Sequence, residues 1–344
     1  MSRVSGRGVG LLALAALVAV GMTGAGCGGG KKSSTASLAT QWTPTAIQKP
    51  SATNTQIVRI SASGLAVGTS DNRMVTWSLP NGFTTYGTLG GAASRGFDVG
   101  ATGIAYGSAD NGADTRAIQS NDSGILEINL GLAVGTNSAA LAVNDAGNIA
   151  GVTWTGSTYS VWRSVAGTVT DITTLGGTGS ISIQAINNAG VMTGVAPSTD
   201  GKNHAFRSVG NALVSIGSGP GSFAQGWDIN TKGTVVGAYV FSGAQVPFVA
   251  TANSIVPLPL PTGATEGVAF AINDNDDIVG CVTISGVNYA YLWRGGEGFD
   301  LNTKLRSALP SGAVLSVARD ITNAGTIVST MRVGGQDHSC LLSP

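Results

Sequence analysis

The sequence predicts an all-β protein, a seven-bladed β-propeller of four-stranded antiparallel blades. Three observations predict it. A short phrase that reads as a hairpin turn recurs seven times, its copies fall at near-constant spacing, and most copies carry two further strand-like stretches downstream. A linear β-solenoid is the alternative that such repetition also allows.

The phrase is an apolar residue, a polar one, two variable residues and glycine, followed by an apolar pair and usually a second glycine. It reads Ile60-Ser61-Ala62-Ser63-Gly64, Val99-Gly100-Ala101-Thr102-Gly103, Val143-Asn144-Asp145-Ala146-Gly147 and Ile186-Asn187-Asn188-Ala189-Gly190. It continues as Ile229-Asn230-Thr231-Lys232-Gly233, Ile272-Asn273-Asp274-Asn275-Asp276 and Ile321-Thr322-Asn323-Ala324-Gly325. The six intervals between positions 64 and 325 average about 43.5 residues. Asn or Ser at the first turn position with Gly at the fourth marks a type I turn whose last residue needs a positive φ. Flanked by apolar stretches, it is a hairpin loop with a bulge. Asp276 stands in for glycine once, and Asp is among the few residues that tolerate the left-handed region.

A third strand is predicted at 74–77, 116–119, 159–162, 204–207, 246–250, 289–293 and 338–342. A fourth follows at 83–89, 125–130, 169–175, 213–216, 255–260 and 298–301. Four strands in 40–45 residues is the unit of a propeller blade. The seventh copy reaches Pro344 without a fourth strand, while an unassigned strand-like stretch, Thr45 to Lys49, precedes the first copy. Pairing the two closes the ring and removes the open ends of a linear array.

Composition agrees with many short strands and tight turns. Glycine accounts for 52 of 344 residues and charged residues for 10%, against about 25% charged in average soluble proteins. With 42% apolar residues the chain can bury a core. Without its first 27 residues it carries 16 basic and 18 acidic groups, so the clustered basic excess of a nucleic-acid partner is missing. The expected state is monomeric.

Residues 1–27 read as a signal peptide. Arg3 and Arg7 form a positive start, and Val9 to Met22 is an apolar run too short to span a bilayer. The run ends in Gly24-Ala25-Gly26-Cys27, which resembles the lipobox of bacterial lipoproteins, with Gly24 where that motif has leucine. The resemblance makes Cys27 the lipid-attachment residue and the membrane a partner through that lipid. Gly28 at the next position implies outer-membrane or cell-surface sorting. Residues 28–42, opening with Gly28-Gly29-Gly30, are expected to be a flexible tether, and residues 43–344 the propeller.

The repeats themselves resemble a named family. Thr88-Leu89-Gly90-Gly91, Thr174-Leu175-Gly176-Gly177, His204-Ala205-Phe206 and the hairpin Ile229 to Gly237 look like the extracellular HAF repeats of exported bacterial proteins. Only one copy keeps the full tripeptide, and only two keep the Leu-Gly-Gly signature. The likeness implies export and a propeller-like fold, and it brings no activity with it.

Chemistry is sparse. His204 and His338 share one repeat position with Tyr159 and Tyr289, which reads as packing rather than catalysis. Asp98, Asp228 and Asp320 each precede the apolar residue of the phrase. They could line the central channel and gather a cation or polar ligand, or simply bond to neighbouring strand ends. The run Asn273-Asp274-Asn275-Asp276-Asp277 is oxygen-rich enough to raise calcium as a cofactor, although it sits on a turn that every copy has. Trp154, Tyr239 and Phe241 fall at ends of second strands and form a candidate stacking surface for sugars, or else cap the blade interfaces. Cys281 and Cys340 belong to different copies and read as buried free thiols. These readings favour a surface-displayed binding module for glycan or protein. An exported polysaccharide-active enzyme, a hydrolase or lyase, is the second class.

Overall fold

The computed structural model describes residues 40–49, 52–133, 135–251 and 254–344. The expected signal peptide, Cys27 and most of the expected tether lie outside these residues. The described chain forms seven four-stranded antiparallel sheets arranged as the blades of a propeller. Strand β1 (Thr43–Ile47) comes first but belongs to the last blade. Blade 1 holds β2 (Thr55–Ile60), β3 (Ala66–Ser70), β4 (Arg73–Ser78) and β5 (Gly82–Thr85). Blade 2 holds β6 (Ser94–Val99), β7 (Ala105–Asp110), β8 (Thr115–Asn121) and β9 (Gly124–Glu127). Blade 3 holds β10 (Asn137–Val143), β11 (Ile149–Thr155), β12 (Thr158–Val165) and β13 (Thr168–Ile172), and blade 4 holds β14 (Ser182–Ile186), β15 (Met192–Pro197), β16 (Asn203–Val209) and β17 (Ala212–Gly217).

Blade 5 follows with β18 (Ala224–Ile229), β19 (Val235–Phe241), β20 (Ala244–Thr251) and β21 (Ser254–Pro257). Blade 6 has β22 (Ala264–Ile272), β23 (Ile278–Ile284), β24 (Val287–Arg294) and β25 (Glu297–Asp300). Blade 7 is built of β26 (Val314–Ile321), β27 (Ile327–Val333) and β28 (Gln336–Ser343), with β1 as its outer strand.

Burial runs from the axis outward. Second strands such as β7 and β19 are buried on both faces because each sheet is covered by a neighbour on either side. Fourth strands such as β5 and β9 are short and largely open.

The recurring phrase does what its residues require. In every blade the fourth turn residue donates to the carbonyl of the first, from Gly64 to Ser61 at 3.0 Å through to Gly325 to Thr322 at 2.9 Å. All seven fourth residues have positive φ, 76–85° for the glycines and 62° for Asp276. The second glycine has a different cause. A Cβ at Gly68, Gly107, Gly151, Gly194, Gly237 or Gly280 would collide with a carbonyl oxygen of the innermost strand. Opposite that approach each innermost strand carries a bulge, just before Arg59, Asp98, Ala142, Ala185, Asp228, Ala271 and Asp320. In blade 7 Ser329 takes the glycine's place and its hydroxyl donates to the Val317 carbonyl at 2.8 Å.

The ring is closed, which rules out the solenoid. β1 pairs antiparallel with β28 from Thr43–Ser343 to Ile47–Ser339, two residues upstream of the expected stretch. Ile47 enters the apolar cluster shared by blades 1 and 7. Trp42, at the other end, enters the cluster shared by blades 6 and 7 and is 1% exposed. Its indole donates to the Gly325 carbonyl at 2.8 Å, and its backbone exchanges bonds of 2.8 Å with Lys304 and Arg306. The boundary at residue 43 is therefore corrected, because Trp42 belongs to the folded body.

Truncating Trp42 to Ala should cost about 3–5 kcal/mol, the range for large buried aromatics, read from denaturant unfolding. Removing residues 40–49 should lower the melting temperature of the whole ring cooperatively and promote aggregation through the bared β28 edge. A truncated chain that stays monomeric and melts unchanged would contradict closure by β1.

Candidate functional site

The residue after each bulge is, in blade order, Arg59, Asp98, Ala142, Ala185, Asp228, Ala271 and Asp320; five of these line the central funnel, while Ala142 and Ala271 are fully buried in the cores between blades. The three carboxylates bridge neighbouring blades in one way. Asp98 accepts from its own neighbour Val99 N at 2.8 Å and from Val143 N of blade 3 at 2.8 Å. Asp228 accepts from Ile229 N at 2.8 Å and from Ile272 N of blade 6 at 2.9 Å. Asp320 accepts from Ile321 N at 3.0 Å and from Ile60 N of blade 1 at 2.8 Å. Each satisfies two buried amides, one on either side of a blade boundary, that would otherwise go unpaired.

Arg59 reaches from blade 1 across the axis. It donates to the carbonyls of Gln184 at 3.1 Å and Trp227 at 3.4 Å, the bulged residues of blades 4 and 5, and approaches Asp320 at 3.9 Å. One guanidinium thus faces three buried carboxyl groups. Burial pushes Asp98 up to about 7 and Asp320 up to about 6, with Asp228 raised as well, and in each case Arg59 and the donated amides oppose the rise.

Above this floor the hairpin turns form a funnel of about 190 Å³, lined by Asn144, Asn187, Asn230 and Asn273 among others. These four asparagines make a belt. Each donates to the backbone carbonyl of the corresponding residue in the next blade, at 2.8–3.2 Å, while its own carbonyl oxygen caps the turn it starts. A second tier pairs Asp145 with Asn188 and Asp274 with Thr231 and Asn323. The floor and rim are therefore polar, rigid and already hydrogen-bonded.

The candidates from the sequence are placed as follows. Asp98, Asp228 and Asp320 meet at the channel floor and are bonded to strand ends. Among the described residues no group of three or more His, Cys, Asp or Glu is placed to hold a metal ion. In the oxygen-rich turn, Asp274 bonds Thr231 and Asn323, Asp276 pairs with Lys232 at 2.7 Å, and buried Asp277 pairs with Arg294 at 2.5 Å. Those oxygens are occupied by protein groups, which leaves the turn poorly suited to calcium.

The three aromatics are not assembled into one surface. Trp154, on blade 3, stacks on Tyr159 with ring centroids 6.1 Å apart and packs on the blade 3–4 core. Tyr239, on blade 5, is 8% exposed and lies 6.5 Å from Phe248. Only Phe241, 49% exposed, is open at its strand end. His204 bonds Ser215 at 2.6 Å and Asp200 at 3.0 Å, and His338 sits opposite Met331. Cys281 and Cys340 are free and buried, and burial pushes their thiols up to about 12 and 11.

Sequence reasoning missed Arg59, the asparagine belt and the Asp277–Arg294 pair. The signal for Arg59 was available, because it occupies the same repeat phase as the three aspartates.

No protein family and no curated protein matches the chain by sequence. Solved structures match by shape. The β-propeller domain of the Trilobed protease from Pyrococcus furiosus, described as having an open velcro topology, aligns with a TM-score of 0.54 at 10% identity over 85% of this chain and 93% of that one. Pyrococcus horikoshii acylaminoacyl peptidase aligns at 0.55 and 8% identity over 85% of this chain. TolB from Acinetobacter baumannii aligns at 0.46 and 10% identity over 84%. The chain spans 51% of the peptidase and 63% of TolB. At these identities the likeness is one of fold.

Two outcomes follow from the floor and the aromatics. Folding raises the carboxyl groups above their ordinary 3.8, so between about pH 4 and pH 7 the folded chain holds protons that the unfolded chain has lost. Their contribution to stability is fully present below about pH 4 and is lost as pH rises through about 6 and 7. Denaturant midpoints measured from pH 5 to pH 8 should fall less steeply in Asp98→Asn than in the native chain. Equal slopes would show that Asp98 does not titrate there. Separately, Tyr239→Ala should cost about 3–5 kcal/mol and Phe241→Ala under about 1 kcal/mol, by the same measurement.

Proposed function

We propose that the protein is an exported, lipid-anchored binding module that recognises a glycan or protein ligand at the funnel. The observation that carries this reading is the state of the floor carboxylates. Each holds two backbone amides from adjacent blades, so these groups serve to join blades and are not poised for proton transfer to a ligand. Above them the turns present rigid amide, carboxylate and hydroxyl groups at one concave surface, which suits hydroxyl-rich or polypeptide ligands.

The enzyme reading has one observation in its favour: Asp98 is pushed up to about 7, in the range of a general acid. Its two bonded amides weigh against that use. The HAF-like repeats and the lipobox-like Cys27 supply the rest of the proposal, export and anchoring at the outer membrane or cell surface.

Two experiments test it. Replacing Cys27 with Ser should move the protein out of the membrane fraction, and labelled palmitate should enter only the native chain. A mutant that remains membrane-bound would defeat the anchor. Glycan and protein arrays probed with the Cys27→Ser chain should yield a ligand whose affinity falls at least about tenfold in Asp145→Ala, Asp274→Ala, the loss of charge-assisted bonds, measured below the melting temperature that the lost rim bonds will lower. A ligand insensitive to both changes binds elsewhere. Turnover of a polysaccharide by the native chain, abolished in Asp98→Asn, would overturn the binding reading.

A further inference from the structure

The repeat is stretched most at one place. Fourth turn residues follow one another at 43-residue spacing from 147 to 276, and the next is at 325. The extra length lies in the connection 301–313 between blades 6 and 7, longer than the blade connections 86–93, 128–136, 173–181, 218–223 and 258–263. Long connections in a compact repeat are commonly functional, and per-repeat insertions often mark a binding face.

This connection is tied down along its length. It begins with a 3-10 turn, Leu301–Lys304, with Leu301 fully buried. Asn302 exchanges two bonds with the backbone of Leu315, at 2.8 and 3.0 Å. Trp42 pairs with Lys304 and Arg306, Leu305 and Leu309 pack on the blade 6–7 core, and Ala313 N closes a turn on the Pro310 carbonyl at 2.9 Å. The loop so fixed borders a cavity of about 420 Å³, lined by Asn302 and residues 305–313. That is in the size range of small-ligand sites.

Arg306 is the one charged residue of that lining. Its backbone is committed to Trp42, while its side chain is exposed and makes no hydrogen bond or ion pair with any described residue. The hydroxyls of Ser307 and Ser311 border the same space, as do the apolar Leu309 and Pro310. A planar, permanently charged fork beside hydroxyls and an apolar wall is a receptor for an anion carried on a partly apolar ring. We propose that this cavity binds an acidic saccharide, through a carboxylate or sulfate held by Arg306. The site rests on the protein being a binding module but not on the funnel.

Calorimetry and amide NMR on the exported Cys27→Ser chain test it, with trigalacturonate, a sulfated disaccharide and neutral maltotriose as probes. The expected result is binding of one or both acidic probes, weakened by salt, with shifts at the amides of 306–313. Arg306→Gln should weaken that binding roughly ten- to hundred-fold at unchanged melting temperature, and Arg306→Lys by less. A carboxylate preference or a sulfate preference would identify the anion. The proposal is overturned if neither acidic probe binds, if maltotriose binds as well as they do, or if Arg306→Gln binds like the native chain. Loss of acidic-probe binding in Asp145→Ala, Asp274→Ala would move the site to the funnel and equally overturn it. Funnel failure with cavity binding intact would instead count only against the function proposed for the funnel.

Discussion

The constraint on which the ring depends is the fate of backbone amides where one innermost strand ends beside the next. A blade's sheet satisfies its own ladder, but the bulge before the turn takes one residue per blade out of register. At three of the seven boundaries an aspartate from the previous blade supplies the missing acceptor, and at four an asparagine supplies a donor to the next blade's turn. Blade packing elsewhere is largely apolar, with serine hydroxyls accepting single amides across the boundaries of blades 7 and 1, 1 and 2, and 2 and 3. The axial bonds are directional, and each fixes the place of one innermost strand's end against the next.

Burying three carboxyl groups around one guanidinium has a cost that the ring accepts only because each oxygen is hydrogen-bonded. Arg59 is central to that balance. It is the single cation of the axial set, and it spends its donors on the carbonyls of Gln184 and Trp227, across the axis from its own blade. Blade 1 is thereby linked to blades 4 and 5 as well as to blade 7 through Asp320.

Much of the fold was legible in the sequence because its signals are local. A turn glycine needs positive φ, a strand needs apolar residues, and both recur at fixed phase. The closing strand was legible as an orphan, though displaced by two residues, since Trp42 looked like the end of a polar tether and only the folded ring shows what it fills. The site was less legible for a physical reason. Asp98 reads alike whether it binds a ligand or a neighbour's amide, and the deciding partner, Val143, lies 45 residues away. Tyr239 and Trp154 share a place near strand ends, but adjacent strand positions face opposite sides, so one entered the core and the other stacked on Tyr159.

The way the chain enters the ring gives the molecule a direction. Trp42 reaches the body beside Gly325, a residue of the turns that rim the funnel, so the chain enters the ring at that face. A dozen residues, 28–39, extend at most roughly 40 Å. For a chain held by the proposed lipid at Cys27, the funnel's rim would lie within that reach of the anchoring surface. Ligands displayed on that surface would then be within the funnel's reach, alongside any arriving from solution.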